Sequence, residues 1–361
     1  MKNKKRLLIY IAGAVIAAAI IVTVTLLVIR SASKKHNLGE IPPPGPEAPS
    51  ESANALPPGA LTAEPTEALS DQPTALPSDE ATPAPTEEPG LSEVAKLIAS
   101  LCNRLCDETG IETTEIELIG ICIPGSIDAS REKVIDAYNL SFHDVPFKKM
   151  VEDETGMKAQ LMNDADAATL AEYKIGSLRG MHDSMLITIG TGIGGGIILN
   201  GKLFPGGHGN GVELGHVQMD VHGELCTCGR RGCIETLCSA TWLNRQALSL
   251  YENGNRLLNS LARSEIDGKA LIDGAKAGDS ECLSVWNQYI DNLSDALASY
   301  TNIIDPECIA IGGGVSNAGD FLIKPVEKLT QQKCFFKTNP PEVVRALLGN
   351  DAGLIGSVII D

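Results

Sequence analysis

The pattern of apolar and polar positions predicts alternating helices and strands from residue 91 onward. The first helix is marked by apolar residues three or four positions apart: Val94, Leu97, Ile98, Leu101 and Leu105. Ser92 is a suitable N-cap for this helix, and Gly110 is a suitable end. Cys102 and Cys106 lie on the same helical face, where we expect them to be buried as small apolar side chains.

Short apolar runs farther along the chain predict strands. They lie at residues 116–123, 160–162, 185–189, 196–199 and 308–311. Helical spacing returns at residues 165–175, about 280–303 and 320–332. Asn200 and Gly201, between two apolar stretches, are typical of a hairpin turn. Strands that alternate with helices predict an α/β fold.

The longest apolar run, residues 7–29, contains no charged residue. As a helix, its 23 residues would span the roughly 30 Å hydrocarbon core of a membrane. Basic residues flank the run on both sides, and it is longer than the apolar region of a cleaved signal peptide, which is the rival interpretation. The sequence therefore predicts a single-pass membrane protein, anchored through residues 1–35.

Residues 36–90 differ in composition from the rest of the chain. They hold 13 of the 20 prolines, ten acidic residues, no lysine or arginine and no aromatic residue. Such a segment buries too little apolar surface to offset the entropy of ordering, so we expect a disordered linker. A ligand for proline-binding modules is the alternative. The whole chain carries a net charge of −17, which argues against a nucleic-acid partner.

A histidine and three cysteines form the strongest local signal for a metal site: His216, Cys226, Cys228 and Cys233. Three thiolates and one imidazole are a suitable ligand set for a structural zinc ion. The C-x-C spacing is unusual for zinc, and unrelated thiols among the ten cysteines are the alternative. A bound zinc ion would fix the chain between two carboxylates, Glu213 and Glu235. Cys238 is a nearby spare thiol that we expect to be buried.

Two glycine-rich turns each follow a predicted strand, at residues 189–196 and 311–316. Such turns allow backbone amides to approach an anion, although the first could equally be a tight hairpin. The second precedes a predicted helix, which suits a nucleotide phosphate. Asn163 and Asp164 lie where a strand ends and a helix begins, a position at which ligands bind in α/β folds. Helix capping is the alternative role for both.

Together, these motifs resemble the ROK family, which includes bacterial glucokinases, other hexose kinases and sugar-responsive repressors. The resemblance covers about residues 91–361. It is carried by GTGIGGGIILNGKL, ELGH, CTCGRRGCIET, IAIGGGVSNAG and LLGNDAGLIGS, in family order. It implies a two-lobed, actin-like ATPase fold in which residues 91–361 form the sugar kinase domain. It also implies a homodimer.

The resemblance implies specific roles for these residues. Asp164 resembles the general base that takes the proton of a sugar hydroxyl. The sugar-binding set is Asn163, Glu213, His216 and Glu235. The ATP-binding set is Gly190, Thr191, Gly192 and Gly194 in the second phosphate loop, with Gly312, Gly313 and Gly314 in the adenosine loop. His216 would serve both the zinc ion and the sugar, and Mg²⁺ would accompany ATP.

One family motif is missing. No D-x-G-G-T sequence, the first phosphate loop of the family's kinases, occurs in the chain. We therefore expect a truncated first lobe with an unpaired strand edge. An ATP-dependent hexose kinase is the first hypothesis. A non-catalytic sugar-binding sensor or kinase remnant is the second, and a poorly folding product of a rearranged gene is the third.

The side of the membrane on which the sugar kinase domain lies is a separate question. The slight excess of basic residues before the apolar run would send the domain outward. Ten cysteines around a zinc site suit a reducing interior, and so does the need for ATP. We expect the domain on the cytoplasmic side.

Overall fold

The structure, a computed structural model, describes the backbone of residues 13–17 and 20–28 and all of residues 90–137, 140–209 and 211–359. These residues all belong to one compact unit. The predicted linker lies outside the described residues except for its last residue, Gly90.

A four-stranded sheet forms the centre of the first lobe. Its strands are β1 (Gly13–Ala17), β2 (Ile20–Val28), β3 (Ile116–Ile123) and β7 (Ala159–Asn163), side by side in that order. Strands β3 and β7 are parallel, as an α/β fold requires. Two helices, α1 (Leu91–Thr109) and α2 (Phe147–Thr155), bury Ile98 and Phe147 in one apolar core with Ile119 of β3.

The prediction of a membrane-spanning helix at residues 7–29 is wrong. Within this run the chain forms β1 and β2, and β2 pairs antiparallel with β3, so that Thr23 faces Cys122. None of the helices in the described part of the chain combines the length and the hydropathy that a membrane span requires. The predicted membrane localisation is corrected accordingly. The physical reason lies in the β-branched residues of IIVTVTLLV, which favour strands.

The same pairing corrects the expectation of a truncated first lobe. The edge of β3 that we expected to be unpaired hydrogen-bonds to β2 instead. An open strand edge exposes a row of unsatisfied amides and carbonyls, and an adjacent apolar hairpin satisfies them. The sheet therefore has four strands, although the D-x-G-G-T motif is absent from the sequence.

The second lobe is built on a five-stranded sheet. Its order is β10 (Lys202–Leu203), β9 (Ile193–Leu199), β8 (Ser184–Ile189), β11 (Cys308–Gly312) and β12 (Glu342–Arg345). The helices that follow or flank these strands are α4 (Glu235–Cys238), α5 (Ala240–Glu252), α6 (Gly268–Lys276), α7 (Ser280–Ile304), α8 (Asp320–Lys333) and α9 (Ala352–Ser357). Trp286 and Tyr289 of α7 stack with ring centroids 5.2 Å apart in this core.

Helix α3 (Asp164–Ile175) connects the two sheets. A small apolar cluster includes Met162 of β7, Leu170 of α3 and Ile198 of β9. The first residue of α3 therefore lies where β7 ends and where both lobes contribute side chains.

The predicted helices and strands from residue 91 onward are confirmed, with shifted boundaries. Helix α1 is preceded by Gly90 rather than capped by Ser92, and it ends at Gly110 with φ 65°. Asn200 and Gly201 have φ of 53° and 72°, as a type I′ hairpin turn requires. Cys102, Cys106 and Cys238 are buried, also as expected.

The sequence pattern did not reveal a small antiparallel sheet that follows β3. It consists of β4 (Ser126–Ile127), β5 (Val134–Ala137) and β6 (Phe142–Val145). Strands of two to four residues are too short to show a clear alternation of apolar and polar positions.

Candidate active site

The candidate site is a cavity of about 500 Å³ at the carboxyl ends of β3 and β7. Pro124 and Gly125 follow β3, and Asn163 ends β7. The turn between β8 and β9 and Gly313 after β11 close the cavity from the second lobe. Ligands in α/β folds bind at this end of the strands, so the location suits a small-molecule site.

Asn163 caps helix α3. Its Oδ1 accepts hydrogen bonds from the backbone N–H groups of Ala165 at 2.9 Å and Asp166 at 3.1 Å. Its Nδ2 donates to the carbonyl of Gly125 at 3.0 Å. The capping role is therefore confirmed for Asn163, and the cap ties helix α3 to the loop after β3.

Asp164, the first residue of α3, faces the cavity. Its Oδ1 accepts a hydrogen bond from the Ala165 N–H at 2.9 Å. The carboxylate of Asp164 is exposed to the cavity, but the surrounding protein desolvates it and so raises its pKa above the usual value. A raised pKa makes Asp164 a stronger base than a freely solvated aspartate.

Two further carboxylates lie near Asp164. The pKa of Asp166 is raised to about 6: burial raises it most, the positive charge of Arg131 partly offsets this, and the negative charges of Asp164 and Glu213 add to it. Burial also raises the pKa of Glu213, against the lowering effect of His216. Among the described residues, no lysine or arginine lines this cavity.

The loop that carries Glu213 and His216 packs directly on strand β9. A Cβ atom at Gly215 would lie 2.1 Å from the carbonyl oxygen of Ile193, so only glycine allows this approach. The Tyr300 hydroxyl of α7 donates to the carbonyl of Leu214 at 2.6 Å. These contacts hold Glu213 and His216 at the wall of the cavity.

The predicted zinc ligands converge. The ligand atoms of His216, Cys226, Cys228 and Cys233 all lie within 4.8 Å of one another. Nδ1 of His216 is 3.5 Å from Sγ of Cys226, and Sγ of Cys228 is 3.6 Å from Sγ of Cys233. Thiolates about 2.3 Å from a tetrahedral zinc ion lie about 3.8 Å from one another, and a shorter zinc–nitrogen bond brings the imidazole slightly closer, so the four residues fit such an ion.

The first glycine-rich turn is a hairpin, as one interpretation expected: residues 190–192 connect β8 and β9. The start of α5 holds it, because the Ala240 N–H donates to the carbonyl of Gly190 at 2.8 Å and the Thr241 hydroxyl to that of Thr191 at 2.7 Å. Gly190, Thr191, Gly192 and Gly194 all line the cavity.

The second glycine-rich turn lies beside the first. Gly313 has φ 79°, and a Cβ atom there would lie 2.3 Å from the carbonyl oxygen of Ile189. Gly312 ends β11, and Gly314 begins a short 3-10 segment, Gly314–Ala318. Helix α8 begins only at Asp320, so the turn does not lead directly into a helix N-terminus as we expected.

Three site residues were missed at the sequence level. Gly125 lines the cavity, and Asp166 lies beside Asp164 in the first turn of α3. Arg131 lies close enough to lower the pKa of Asp166. The sequence carried no specific signal for Asp166, because acidic residues are common in the first turn of a helix, where they interact favourably with the helix dipole.

The two lobes, the central cavity and the glycine turns define the actin-like fold of sugar kinases. The ROK family model matches residues 62–360, so this chain belongs to the ROK family. The match begins inside the predicted linker.

Characterised relatives in this family include glucokinases. The chain is 38% identical to the glucokinase of Thermotoga maritima over 280 residues, covering 76% of this chain and 86% of the relative. It is 35% identical to the glucokinase of Halalkalibacterium halodurans over 255 residues, covering 69% and 77%.

Solved structures show the same fold. A ROK family glucokinase from Streptomyces griseus, in complex with glucose and AMPPNP, matches with a TM-score of 0.63 at 32% identity, over 73% of this chain and 86% of that one. A ROK family transcriptional regulator, a homologue of an E. coli protein, matches with a TM-score of 0.66 at 26% identity, over 74% and 67%.

Proposed function

We propose that this protein is an ATP-dependent hexose kinase in which Asp164 is the general base. The observation that carries the proposal is the position of the Asp164 carboxylate. It faces a cavity that also borders the glycine turn at residues 190–194 and the side chains of Glu213, His216 and Glu235. The base, the sugar-binding groups and the phosphate-binding turn thus surround one space that can hold a hexose.

In the proposed reaction, Asp164 accepts the proton of the attacking sugar hydroxyl as the oxygen bonds to the terminal phosphorus of ATP. The bond from that phosphorus to the bridging oxygen breaks, and ADP leaves. The pKa of the Asp164 carboxyl is raised and therefore lies closer to neutral pH than that of a freely solvated aspartate. This makes the carboxylate a better proton acceptor near neutral pH. Phosphoryl transfer depends mainly on positioning and on charge stabilisation, so the backbone amides of Thr191 and Gly192 at the tip of the turn would act on the phosphates, together with Mg²⁺ brought by ATP. The Gly190 N–H donates to the Gly192 carbonyl at 3.0 Å and so fixes the shape of the turn.

The sugar would be held by a set of acceptors and donors from both lobes. The second N–H of Asn163 Nδ2 can donate to a hydroxyl, while the carboxylates of Glu213 and Glu235 can accept from hydroxyls. Such a set rejects analogues that lack a hydroxyl, because buried polar groups are then left without a partner. The resemblance to glucokinases favours glucose as a substrate.

The nucleoside of ATP would occupy a second cavity of about 350 Å³. Gly314 lines it together with Asn244 of α5 and two lysines of α6, Lys269 and Lys276. Gly313 packs on Ile189, the residue just before the turn at residues 190–194. The second cavity, which Gly314 lines, therefore lies next to this turn in the second lobe. Asp267 and Asp273 line the same cavity and balance the charges of the two lysines, which suits the uncharged nucleoside rather than the phosphates. A Cβ atom at Gly314 would meet no atom within 4 Å, so this end of the turn leaves room for a ribose beside the backbone.

The cysteine cluster is proposed as a structural zinc site. The ion would be held by His216, Cys226, Cys228 and Cys233. When bound, it would join His216, which precedes Glu224 in the chain, to the three cysteines that follow it. Nδ1 of His216 faces the thiols, so its Nε2 is left for the sugar. The zinc ion would therefore stabilise the sugar site without taking part in the reaction.

A coupled assay on the full-length protein tests the proposal. ADP release is measured with ATP, Mg²⁺ and a panel of hexoses, for the wild type, for Asp164→Asn and for Asp153→Asn, a control at an exposed residue of helix α2. We expect sugar-dependent turnover that falls by at least about a thousandfold in Asp164→Asn and is unchanged in the control. Unchanged turnover in Asp164→Asn would refute the assignment of the base.

A non-catalytic sugar-binding protein is the second candidate. The absence of a D-x-G-G-T sequence favours it, because that turn would otherwise face the terminal phosphates of ATP. Calorimetric sugar binding by the folded protein, without ADP release for any hexose, would support this second function over the first.

A further inference from the structure

Exposure to solvent sets one cysteine apart from the others. All ten cysteines of the chain lie in the described ranges; nine are buried, and Cys228 is exposed. Oxidation of a thiol requires contact with the oxidant in solution, so accessible thiols react before buried ones. Cys228 is therefore the cysteine that a dissolved oxidant reaches first.

A cavity of about 640 Å³ leads to Cys228. Three of its lining residues, Leu225, Thr227 and Cys228, are exposed, so the cavity opens to solvent. On its inner side the same cavity borders Cys226, which is buried, and His216. A molecule as small as hydrogen peroxide fits in this volume and can approach the cysteine cluster through it.

The exposed thiol has a partner within reach. Sγ of Cys228 lies 3.6 Å from Sγ of Cys233, which is buried. A disulfide bond is about 2.05 Å long, so the two sulfur atoms need to approach each other by about 1.5 Å. At Gly229, the residue after Cys228, a Cβ atom would meet no atom within 4 Å. The turn that carries Cys228 therefore has room for this small movement.

Cys233 connects the cysteine cluster to the candidate active site. Its Sγ lies 3.5 Å from the carbonyl oxygen of His216, and its backbone pairs with Gln218 in an antiparallel bridge. The N–H of Ile234, the next residue, donates to the carbonyl of Val217 at 2.9 Å. Because His216 lines the candidate active-site cavity, a change of bonding at Cys233 acts on the segment that carries a proposed sugar ligand.

We propose that hydrogen peroxide oxidises Cys228 and Cys233 to a disulfide and that this modification weakens sugar binding. The Cys228 thiolate attacks one peroxide oxygen, the O–O bond breaks, hydroxide leaves and Cys228 becomes a sulfenic acid. The Cys233 thiolate then attacks the sulfenic sulfur, the S–S bond forms and a second hydroxide leaves. Both hydroxides take up protons and become water. The two sulfur atoms lose two electrons in total, and the peroxide gains them.

The disulfide leaves the proposed zinc site with two of its four ligands, His216 and Cys226. We expect zinc to be released and the His216 ring to lose its fixed orientation, which lowers the sugar affinity about tenfold or more. Reduction by a dithiol restores both thiols and makes the change reversible. The effect on the sugar rests on the proposed function, because His216 is a sugar ligand only there.

Three measurements on the full-length, zinc-loaded protein test the proposal before and after treatment with hydrogen peroxide. A chromogenic indicator measures the released zinc, mass spectrometry after alkylation and proteolysis identifies the disulfide, and calorimetry measures glucose affinity. We expect the Cys228–Cys233 disulfide to form in parallel with zinc release, and the glucose Kd to rise about tenfold or more. Dithiothreitol and added zinc should restore the original affinity.

Two variants, Cys228→His and Cys228→Asp, replace the exposed thiol by another side chain that can bind zinc. Whichever of them holds the ion should keep it in hydrogen peroxide and retain its glucose affinity. Cys106→Ala, at a buried cysteine of α1 outside the cluster, is the control and should lose zinc as the wild type does. Zinc release from a Cys228 variant at the wild-type rate would overturn the role of Cys228.

The outcomes separate this inference from the proposed function. A disulfide through Cys226, or oxidation of Cys228 without a disulfide, would overturn the proposed pair. A Cys228–Cys233 disulfide that leaves glucose affinity unchanged would overturn the effect on the sugar site. If the reduced, folded protein binds no hexose, the proposed function fails, whereas zinc release and mass spectrometry still decide whether the disulfide forms.

Discussion

The Oε2 atom of Glu235 accepts a hydrogen bond from the backbone N–H of Ile193 at 2.9 Å. This contact connects Glu235, which follows the last cysteine of the cluster, to strand β9, which follows the glycine-rich turn at residues 190–192. The other carboxylate oxygen lies 3.9 Å from Sγ of Cys226, so one side chain borders both the metal cluster and the candidate phosphate loop. A Cβ atom at Gly192 would lie 2.2 Å from the same Oε2, which explains a glycine there.

Removal of the Glu235 carboxylate should therefore affect both stability and sugar binding. In Glu235→Ala the Ile193 N–H loses its acceptor, and we expect the free energy of unfolding to fall by about 1–3 kcal/mol. Glu235→Gln retains an oxygen acceptor and should recover most of the stability. Urea titrations and the sugar KM are the readouts. Equal stability of Glu235→Ala and the wild type would contradict this account.

The cysteine cluster should hold one zinc ion for each chain. We expect Cys233→Ser to lower the metal content and the Tm, and to raise the sugar KM because the His216 ring is no longer fixed. Elemental analysis and thermal unfolding measure these effects. Cys106→Ala, at a buried cysteine of α1 outside the cluster, is the control for the metal content, and it should bind zinc as the wild type does. A full zinc content in Cys233→Ser would exclude the proposed ligand set.

The two neighbouring glycines of the second turn should respond differently to alanine. Gly313→Ala combines a positive φ with a contact to the Ile189 carbonyl, so we expect a loss of at least about 1–2 kcal/mol of stability and a weaker affinity for ATP. At Gly314 a Cβ atom meets no atom within 4 Å, and Gly314→Ala should retain the stability of the wild type. Chemical denaturation and ATP titration distinguish the two variants. Similar stabilities would contradict the packing of Gly313 against β8.

Asp166 should make stability depend on pH. Its pKa, raised to about 6 in the folded protein, means that the folded state binds the proton more tightly than the unfolded state does. Its contribution to stability is therefore present at about pH 4 and is lost as the pH rises through about 6, which is the opposite of a salt-bridged aspartate. We expect Asp166→Asn to be more stable than the wild type at pH 7 by about 1–2 kcal/mol, and by less at pH 4.5.

Urea denaturation at both pH values measures this difference, with Asp153→Asn, at an exposed residue of helix α2, as the control. A stability gain that is the same at pH 4.5 and pH 7 would show that Asp166 does not titrate in this range.

Local patterns in the sequence were sufficient for much of both lobes from residue 91 onward and for the grouping of the site residues. The eight residues of β3 and the 25 of α7 are long enough for their apolar periodicity to be clear. The motifs around Asp164, Glu213 and the cysteine cluster also identified the family. Each motif is local in the sequence, and the motifs follow one another in the family's order.

Only the tertiary structure decided the state of the N-terminal apolar run and the surroundings of Asp164. A run rich in isoleucine and valine is long enough for a membrane helix and equally suited to strands. Pairing of β2 with β3 decides between them, and that contact joins residues far apart in the chain, such as Thr23 and Cys122, which are 99 positions apart. The cavity around Asp164 likewise depends on Asn163, Glu213 and Gly313, which lie on three separate segments. The sequence by itself determined which chemical groups are available, because those are local; which of them meet was decided by packing between distant segments.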